Sequence, residues 1–501
     1  MDGHKEVITT AFAKNFQTYL SSDHISDHIS WRKRVALLST IVLMSVFLPT
    51  FAWPATLSVN GVQQFQTIDG FGVSANSASW NNGELRPALD MLVDQLGATL
   101  WRVIIDEEDW EASNDDADPF HFNWTYYNAV YTSTKFENLW STISYLNSKG
   151  ISGGEIVLDF MGTVPSWMGG TANTISTANE DEFVEMVLSL VYYAKVTKGL
   201  NFTQLAPMNE PAWDAYEGPN VDATQYARLM GKLATRLNAL GLTDVRLVCP
   251  DRAQTVYGFT DYFNSTVADA TAMTKVDHWT LHDYGSGDVS GAATLIQGSA
   301  YPTINFWVSE VANFYDAWPF IGQGMAGYLV WEGYESVYNH AIRRGSGSQP
   351  GNDLGNGPAL LSYNISTHIY TPVKAFYEHA QIFKFVTPGA RRIAATDSDG
   401  NLQTYAFYHP TTNRVTIVGR NTGSGSMPIS GSLANLPTVA TFELYQTNDS
   451  LNLQRGTDVA VSNGQFTVTV PGHTIFSLTA VASGIANPPT PPSAPTNLQV
   501  R

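Results

Sequence analysis

Eight short apolar segments alternate with amphipathic segments between residues 68 and 331, and no other feature of the chain limits its fold so strongly. Amphipathic segments with apolar residues at three- and four-residue spacing, as in surface helices, cover 85–96, 137–148, 181–198 and 223–240. The apolar segments have the length and composition of parallel strands buried on both faces, and they cover residues 68–73, 99–105, 154–160, 203–208, 245–250, 278–282, 305–309 and 327–331. This alternation predicts the α/β class and a (β/α)8 TIM barrel over residues 67–386.

A different pattern follows the last amphipathic helix, which is predicted over residues 372–386. Short alternating strands separated by Gly, Asn and Asp predict an appended antiparallel β-sandwich side domain over residues 389–482, with strands at 402–408, 414–420, 441–445, 465–470 and 474–480. The early strand over residues 56–66 precedes the barrel and is expected to join this sandwich. Because only residues 387–390 separate helix from sandwich, we expect the two domains to pack together.

The two ends of the chain have their own signatures. A basic cluster at 31–34 precedes an apolar run at 35–52, so residues 1–52 are interpreted as an N-terminal extension and signal peptide. This predicts a secreted protein, extracellular or at the cell surface, with a retained membrane anchor as the alternative. Residues 483–501 form a Pro-rich linker followed, at 493–500, by a stretch similar to the start of a fibronectin type III module.

Composition excludes some partners. The formal net charge is −18, whereas nucleic-acid binding requires clustered Lys and Arg, so no nucleic-acid partner is expected. An acidic chain without an exposed apolar helix also predicts no stable membrane partner. The single cysteine, Cys249, lies in an apolar run and is expected to be buried. No His, Cys and Asp residues have the spacing of metal ligands, so no metal site is predicted.

Two glutamates carry the strongest chemical signal. Glu210 follows the apolar strand at 203–208, and Glu310 follows the strand at 305–309. The carboxyl ends of barrel strands converge on one face, so both side chains are expected to meet there. Cleavage of a glycosidic bond requires at least two facing carboxyl groups, one protonated and one ionised. The alternative is that each glutamate is a structural partner for an arginine or a backbone amide.

Other polar and aromatic residues fall at predicted strand ends. Arg102 is a candidate to hold one carboxylate ionised, and His282 and Tyr284 can supply an imidazole and a hydroxyl to the same group. Trp331 is a candidate floor for a sugar subsite. Each also has a structural interpretation, namely an ion pair, a buried histidine or ordinary packing.

With these residues in place, the chain resembles the clan A glycoside hydrolases and, within them, glycoside hydrolase family 30. The tripeptide Asn209-Glu210-Pro211 resembles the clan's acid/base motif, and Glu310 matches its nucleophile. Residues 66–72, 164–168 and 375–393 resemble the family's first barrel strand, a loop after strand three and the joint with its side sandwich. The resemblance implies a retaining mechanism through a covalent glycosyl-enzyme with no metal or organic cofactor. It also implies that Asn209 contacts the sugar 2-hydroxyl and that Trp167 binds substrate.

Three functions remain open at this level. The main one is a glycoside hydrolase acting on a polysaccharide or oligosaccharide, with a β-linked glucan, galactan or xylan as substrate. A glucuronoxylan-specific endo-xylanase is the second, because Arg343 and Arg344 lie in a long segment between residues 331 and 372 that is expected to shape the cleft. The third is a non-catalytic carbohydrate-binding surface protein, which would be expected to lack one of the two glutamates.

Overall fold

The computed structural model describes residues 54–106, 111–170, 173–212, 217–252, 255–311, 313–334, 359–364 and 366–484. The predicted signal segment, the arginine pair 343–344 and the C-terminal linker lie outside these residues and stay predictions. Within the described ranges, no helix combines the length and the apolar character needed to cross a membrane.

The described chain opens with strand β1 (Ala55–Thr67), and eight parallel strands then close into a barrel in sequence order. The ring closes where Gly70 of the first barrel strand pairs with Gly327 of the last. The barrel strands are β2 (Gly70–Asn76), β3 (Leu100–Asp106), β4 (Ile156–Met161), β5 (Gln204–Ala206), β6 (Arg246–Arg252), β7 (Val276–Asp283), β8 (Phe306–Val311) and β9 (Gly327–Val330). The predicted fold class is confirmed, because each predicted apolar segment overlaps one of these strands.

Helices follow the strands around the outside. They are α1 (Arg86–Asp90), α2 (Trp124–Tyr131), α3 (Thr134–Ser148), α4 (Ser166–Gly169), α5 (Glu180–Tyr192), α6 (Ala223–Ala239), α7 (Thr255–Ala268), α8 (Ser290–Gly298), α9 (Phe314–Gly322) and α10 (Lys374–Phe383). The longest, α6, shows why these segments are helical. The Asp222 side chain caps its first turn by accepting from the Gln225 N–H at 2.8 Å. Its buried face includes Tyr226, Leu229 and Leu233, which are three or four residues apart.

Close packing between two barrel strands explains why residue 72 is a glycine. At Gly72 in β2, an added Cβ would lie 1.5 Å from the backbone oxygen of Leu100 in β3. A side chain here would therefore force these two paired strands apart. The barrel interior is filled by a separate apolar cluster that includes Leu100, Val157, Val248 and Trp307, so the barrel is a packed core and not a channel.

A second sheet is formed mostly by the C-terminal part of the chain, which follows the hairpin β10 (Leu361–Asn364) and β11 (Ile369–Pro372). β1 lies inside this sheet, antiparallel to β12 (Arg391–Asp397) and parallel to β15 (Met427–Ala434). The rings of Phe442 in β16 (Thr441–Thr447) and Phe466 in β19 (Gln465–Val470) lie 5.5 Å apart, although these two strands are near opposite ends of the strand order. The sheet therefore folds over an apolar core as a sandwich. Its other strands are β12 (Arg391–Asp397), β13 (Leu402–His409), β14 (Arg414–Asn421), β15 (Met427–Ala434), β16 (Thr441–Thr447), β17 (Gln454–Arg455), β18 (Val459–Ala460), β19 (Gln465–Val470) and β20 (Thr474–Val481).

Buried hydrogen bonds join this sheet to the last barrel helix. The Ser477 hydroxyl in β20 donates to the backbone oxygen of Gln381 in α10 at 2.6 Å. The Gln381 side chain donates to the Thr447 hydroxyl at 2.8 Å, and the Thr416 hydroxyl donates to the Phe385 backbone oxygen at 3.0 Å. Breaking the junction would leave these buried groups without partners, so the two domains are held as one body.

We predict that limited proteolysis will not release an active barrel that ends near Pro388. The segment between α10 and β12 is short, and buried hydrogen bonds secure it on both sides. The measurement is gel and mass-spectrometric analysis of trypsin and chymotrypsin digests of the native protein. A stable, active fragment lacking residues 391–482 would contradict the prediction.

Candidate active site

The two glutamates lie together at the carboxyl end of the barrel. Glu210 follows the fourth barrel strand, β5, and Glu310 lies in the seventh, β8. One carboxylate oxygen of Glu210, one of Glu310 and one ring nitrogen of His282 all lie within 4.8 Å of one another. All three residues are buried. The barrel thus brings together two carboxylates that are 100 residues apart in the chain.

Arg102, from β3, lies beneath Glu310 at the centre of the site. Its Nη1 donates to Glu310 Oε2 at 2.9 Å, and its Nη2 lies 2.9 Å from Asp159 and 3.1 Å from Asp251. The same Nη2 donates to the side-chain oxygen of Asn209. The guanidinium is fully buried, so it serves as a fixed positive charge beneath the carboxylates.

His282, from β7, bridges two carboxylates. Its Nδ1 lies 2.6 Å from Glu210 Oε1, and its Nε2 lies 3.2 Å from Asp251 Oδ1. Burial acts to lower the pKa of His282, but the charges of Glu310 and Asp251 outweigh it and raise this pKa well above the usual value. Both ring nitrogens can then donate, so the geometry fits an imidazolium.

The other predicted residues lie around this centre, except one. The Tyr284 hydroxyl donates to Glu310 Oε1, and the Trp331 ring centroid lies 5.8 Å from Arg102 Cζ. Asn209 is buried, and its amide nitrogen donates to the backbone oxygen of Glu217 at 3.2 Å. Trp167 lies in α4, and among the described contacts none joins it to either glutamate. Its indole N–H instead donates to the backbone oxygen of Glu111 at 2.8 Å.

Two buried aspartates in the site have opposite pKa shifts. Burial acts to raise the pKa of Asp251, but Arg102 and His282 outweigh it and hold this pKa far below its usual range. Asp159 behaves oppositely: burial, assisted by the charge of Asp251, raises its pKa well above the usual value although Arg102 opposes this. A negative charge is therefore stabilised more strongly on Asp251 than on Asp159, although both aspartates lie against Arg102.

Glu310 is stabilised as an anion by two donors. Burial and the charge of Glu210 together raise the pKa of Glu310 above its usual value, although His282, Arg102 and the Tyr284 hydroxyl oppose this shift. The Tyr284 side chain is 54% exposed, but its hydroxyl faces Glu310. Desolvation of this hydroxyl and the charge of Glu310 raise the pKa of Tyr284, so the phenol keeps its proton and remains a donor. Because Arg102 and Tyr284 each bind one oxygen of Glu310, a negative charge is held best on this member of the pair.

The backbone has an unusual, left-handed conformation at two positions of the site. Glu210 has φ +38° and Asp251 has φ +54°, a left-handed region that residues with a Cβ rarely adopt. The Glu210 N–H donates to the Asp251 backbone oxygen at 2.9 Å, so the two strained positions support each other. Such strain concentrates at functional sites.

Glu210, His282 and Glu310 also have the mutual spacing of metal ligands. A histidine that binds a metal must be neutral, with a ring nitrogen free for the ion. In this site His282 Nδ1 is 2.6 Å from Glu210, and its pKa is raised. The group therefore fits a hydrogen-bonded carboxylate pair better than a metal centre.

Asp159 and Asp251 are site residues that sequence reasoning missed. Asp251 directly follows the apolar run 245–250, so its position at a strand end was the available signal. Asp159 lies inside an apolar strand, where a charged residue needs a buried partner, and Arg102 is that partner.

An eight-stranded barrel with a flanking sandwich and two buried glutamates at one rim resembles the architecture of the clan A glycoside hydrolases. No family model matches the chain. The chain is 25% identical over 293 residues to the glucuronoxylanase XynC of Bacillus subtilis (strain 168), a match that covers 55% of this chain and 61% of the relative. The chain therefore spans less than two thirds of that relative's length.

Solved structures show the same fold. The family 30 subfamily 8 xylanase Xyn30A of Clostridium acetobutylicum matches with a TM-score of 0.63 and 20% identity, covering 85% of this chain and 100% of that one. The endo-β-1,6-glucanase BT3312 matches with a TM-score of 0.63 and 18% identity, covering 87% of this chain and 95% of that one. The fold implied by the resemblance to glycoside hydrolase family 30 is thereby confirmed.

Proposed function

We propose that this chain is a secreted, retaining β-glycoside hydrolase that cleaves a polysaccharide. The observation that carries the proposal is the pair Glu210 and Glu310, which have oxygens within 4.8 Å of each other and unequal hydrogen-bond partners. Retaining enzymes place the two carboxyl groups about 5 to 5.5 Å apart, whereas inverting enzymes leave about 6.5 to 9.5 Å for a water. The approach of the two nearest oxygens to within 4.8 Å is compatible with the retaining arrangement.

In the first step, Glu310 attacks the anomeric carbon as the nucleophile. Arg102 and Tyr284 hold both of its oxygens, which keeps the carboxylate ionised and fixes its direction. Glu210 donates its proton to the glycosidic oxygen as the bond from that oxygen to the anomeric carbon breaks. The leaving sugar departs with this proton, and the remaining sugar is bonded to Glu310.

In the second step, water releases the sugar. Glu210, now a carboxylate, takes a proton from the water that attacks the anomeric carbon, and the bond to Glu310 breaks. His282 holds Glu210 at 2.6 Å and can stabilise its negative charge between the two steps. Asn209 is the candidate partner for the sugar 2-hydroxyl, and Trp331 and Trp167 are the candidate stacking surfaces.

The proposed substrates are uncharged β-linked glycans, namely a glucan, a galactan or a xylan. Glucuronoxylan is the second candidate, because the curated relative is a glucuronoxylanase and the chain contains the pair Arg343 and Arg344. Secretion is supported by the basic and apolar segments at 31–52. A non-catalytic carbohydrate-binding role is disfavoured because both glutamates are present and share one buried site.

Reducing-sugar release will separate these substrates. We expect activity on at least one of xylan, β-1,6-glucan and β-linked galactan, and NMR should show the β-anomer as the first product, because retention preserves configuration. Glucuronoxylan should be compared with the same xylan stripped of its uronic acids. Equal rates on the two xylans would exclude a role for the arginine pair, and an α-anomer as first product would exclude retention.

A further inference from the structure

A second group of carboxylates, buried except for the partly exposed Asp115, lies outside the candidate active site. Glu111 and Asp115 belong to the segment after β3, and Glu182 and Glu185 lie on α5. One carboxylate oxygen of each of Asp115, Glu182 and Glu185 lies within 4.8 Å of the others. The exposed fraction is 0% for Glu111 and 1% for Glu185, so these two acids are out of contact with bulk water.

Buried oxygens in this group have no hydrogen-bond partner. Among the described residues, neither carboxylate oxygen of Glu185 accepts a hydrogen bond, nor does Oε1 of Glu111. The other Glu111 oxygen accepts from the Tyr127 hydroxyl at 3.0 Å. Buried polar atoms are normally paired, because leaving them unpaired costs free energy. These oxygens therefore point to a partner other than the protein.

The neighbouring acids of the same helix show the contrast. Glu180 pairs with Arg228, and Asp181 lies 2.8 Å from Lys232. No ion pair of the described residues involves Glu111, Asp115, Glu182 or Glu185. Glu180 and Asp181 are thus neutralised by basic side chains. The partners described for Glu111 and Asp115 are instead neutral donors, namely the Tyr127 hydroxyl and the backbone N–H groups of Asp116 and Asn123.

We propose that Asp115, Glu182 and Glu185 bind a single Ca²⁺ ion between the segment after β3 and helix α5. Calcium accepts six to eight oxygen ligands at about 2.3–2.6 Å, so two ligands on opposite sides of the ion lie about 5 Å apart. The three oxygens, within 4.8 Å of one another, can therefore all reach one such ion. Magnesium binds at about 2.0–2.1 Å in rigid octahedral geometry and fits this spacing less well.

The bound ion would also restrain residues that are not its ligands. The Glu111 backbone oxygen accepts the indole N–H of Trp167 at 2.8 Å. Clamping the segment after β3 onto α5 therefore also restrains Trp167, a candidate substrate-binding residue. The calcium site would affect the stability of the protein and the position of Trp167, because none of its ligands is among the residues of the candidate active site.

Thermal unfolding of the full secreted chain tests this proposal. The EDTA-treated, dialysed protein should gain about 3 °C in Tm at a CaCl₂ concentration about 100 times the Kd. Tb³⁺, a luminescent substitute for Ca²⁺, should show emission sensitised by nearby tyrosine and tryptophan, and Ca²⁺ should compete it away. Glu185→Gln should remove both responses. Without calcium it should unfold at the same Tm as the parent or higher, because a neutral amide relieves the crowding of acids.

Asp181→Asn is the matched control, since it removes an acid from the same helix that is already paired with Lys232. It should keep both calcium responses. If Glu185→Gln does not fold, Glu182→Gln serves in its place with the same expectation. An unchanged Tm in CaCl₂ together with no sensitised Tb³⁺ emission would overturn the proposal, as would an undiminished response in both glutamine variants. An equal Tm gain with MgCl₂ would overturn the choice of calcium.

Discussion

Glu310→Ala is expected to lower turnover by about 10⁴-fold or more, the largest effect of any substitution in this chain. The variant loses the proposed nucleophile, so the covalent intermediate cannot form. Arg102 and Tyr284 would remain, but they would have no carboxylate to orient. The measurement is steady-state hydrolysis of an aryl glycoside and of the best polysaccharide found, with folding checked by circular dichroism.

Glu210→Ala is the paired experiment, because the two glutamates have different proposed roles. With an activated aryl leaving group that needs no acid, this variant should still form the glycosyl-enzyme. Azide should then restore turnover and give a glycosyl azide of retained configuration. Azide rescue with inverted product from Glu210→Ala would instead assign the nucleophile to Glu210 and reverse the two roles.

Asp251→Asn is expected to lower the free energy of unfolding by about 3–5 kcal/mol at neutral pH. Asp251 lies 3.1 Å from Arg102 and 3.2 Å from His282, and it also accepts a hydrogen bond from Ser309. The amide keeps the shape but removes the charge that balances two buried cations. The measurement is urea unfolding, with kcat recorded in parallel because both cations contact the proposed catalytic pair.

The decrease in the free energy of unfolding caused by Asp251→Asn should become smaller at low pH. The pKa of Asp251 is depressed in the folded state, so its stabilising contribution is complete above about pH 4, the unfolded value, and declines as the pH falls below it. The difference between parent and variant should therefore shrink at about pH 3. Asp458→Asn, which breaks an exposed pair with Arg455, is the control and should cost about 0.5 kcal/mol or less. A loss from Asp251→Asn as small as the control's would contradict the role assigned to Asp251.

Sequence alone predicted the barrel because its strands are buried on both faces and therefore form unbroken apolar runs. It placed Glu210, Glu310 and His282 in one neighbourhood for the same reason, since each follows or ends such a run, and it added Arg102, which lies inside one. The structure places these four together. Their catalytic roles stay predictions, because proximity alone does not assign a role.

Other features could not be predicted, because they depend on pairs of side chains and not on single positions. The opposite pKa shifts of Asp159 and Asp251 arise from how each faces Arg102 and the other aspartate. Likewise, Asp115 and Glu185 are far apart in the chain and have no recognisable ligand spacing, although the fold brings them together. The hydrogen bond from the Trp167 indole to the Glu111 backbone oxygen likewise depends on tertiary packing and not on local sequence.

The placement of β1 has a consequence for how the protein is made. β1 is synthesised first, yet its partners β12 and β15 begin more than 300 residues later. At about 5–20 residues per second, a ribosome needs roughly 15 to 60 s to supply them. During that time Leu57 and Val59, buried in the finished molecule, have no strand to pair with and are open to association with other chains. Sandwich assembly at β1 therefore cannot begin until β12 and β15 have been made, and the apolar face of β1 stays unpaired in the nascent chain until then.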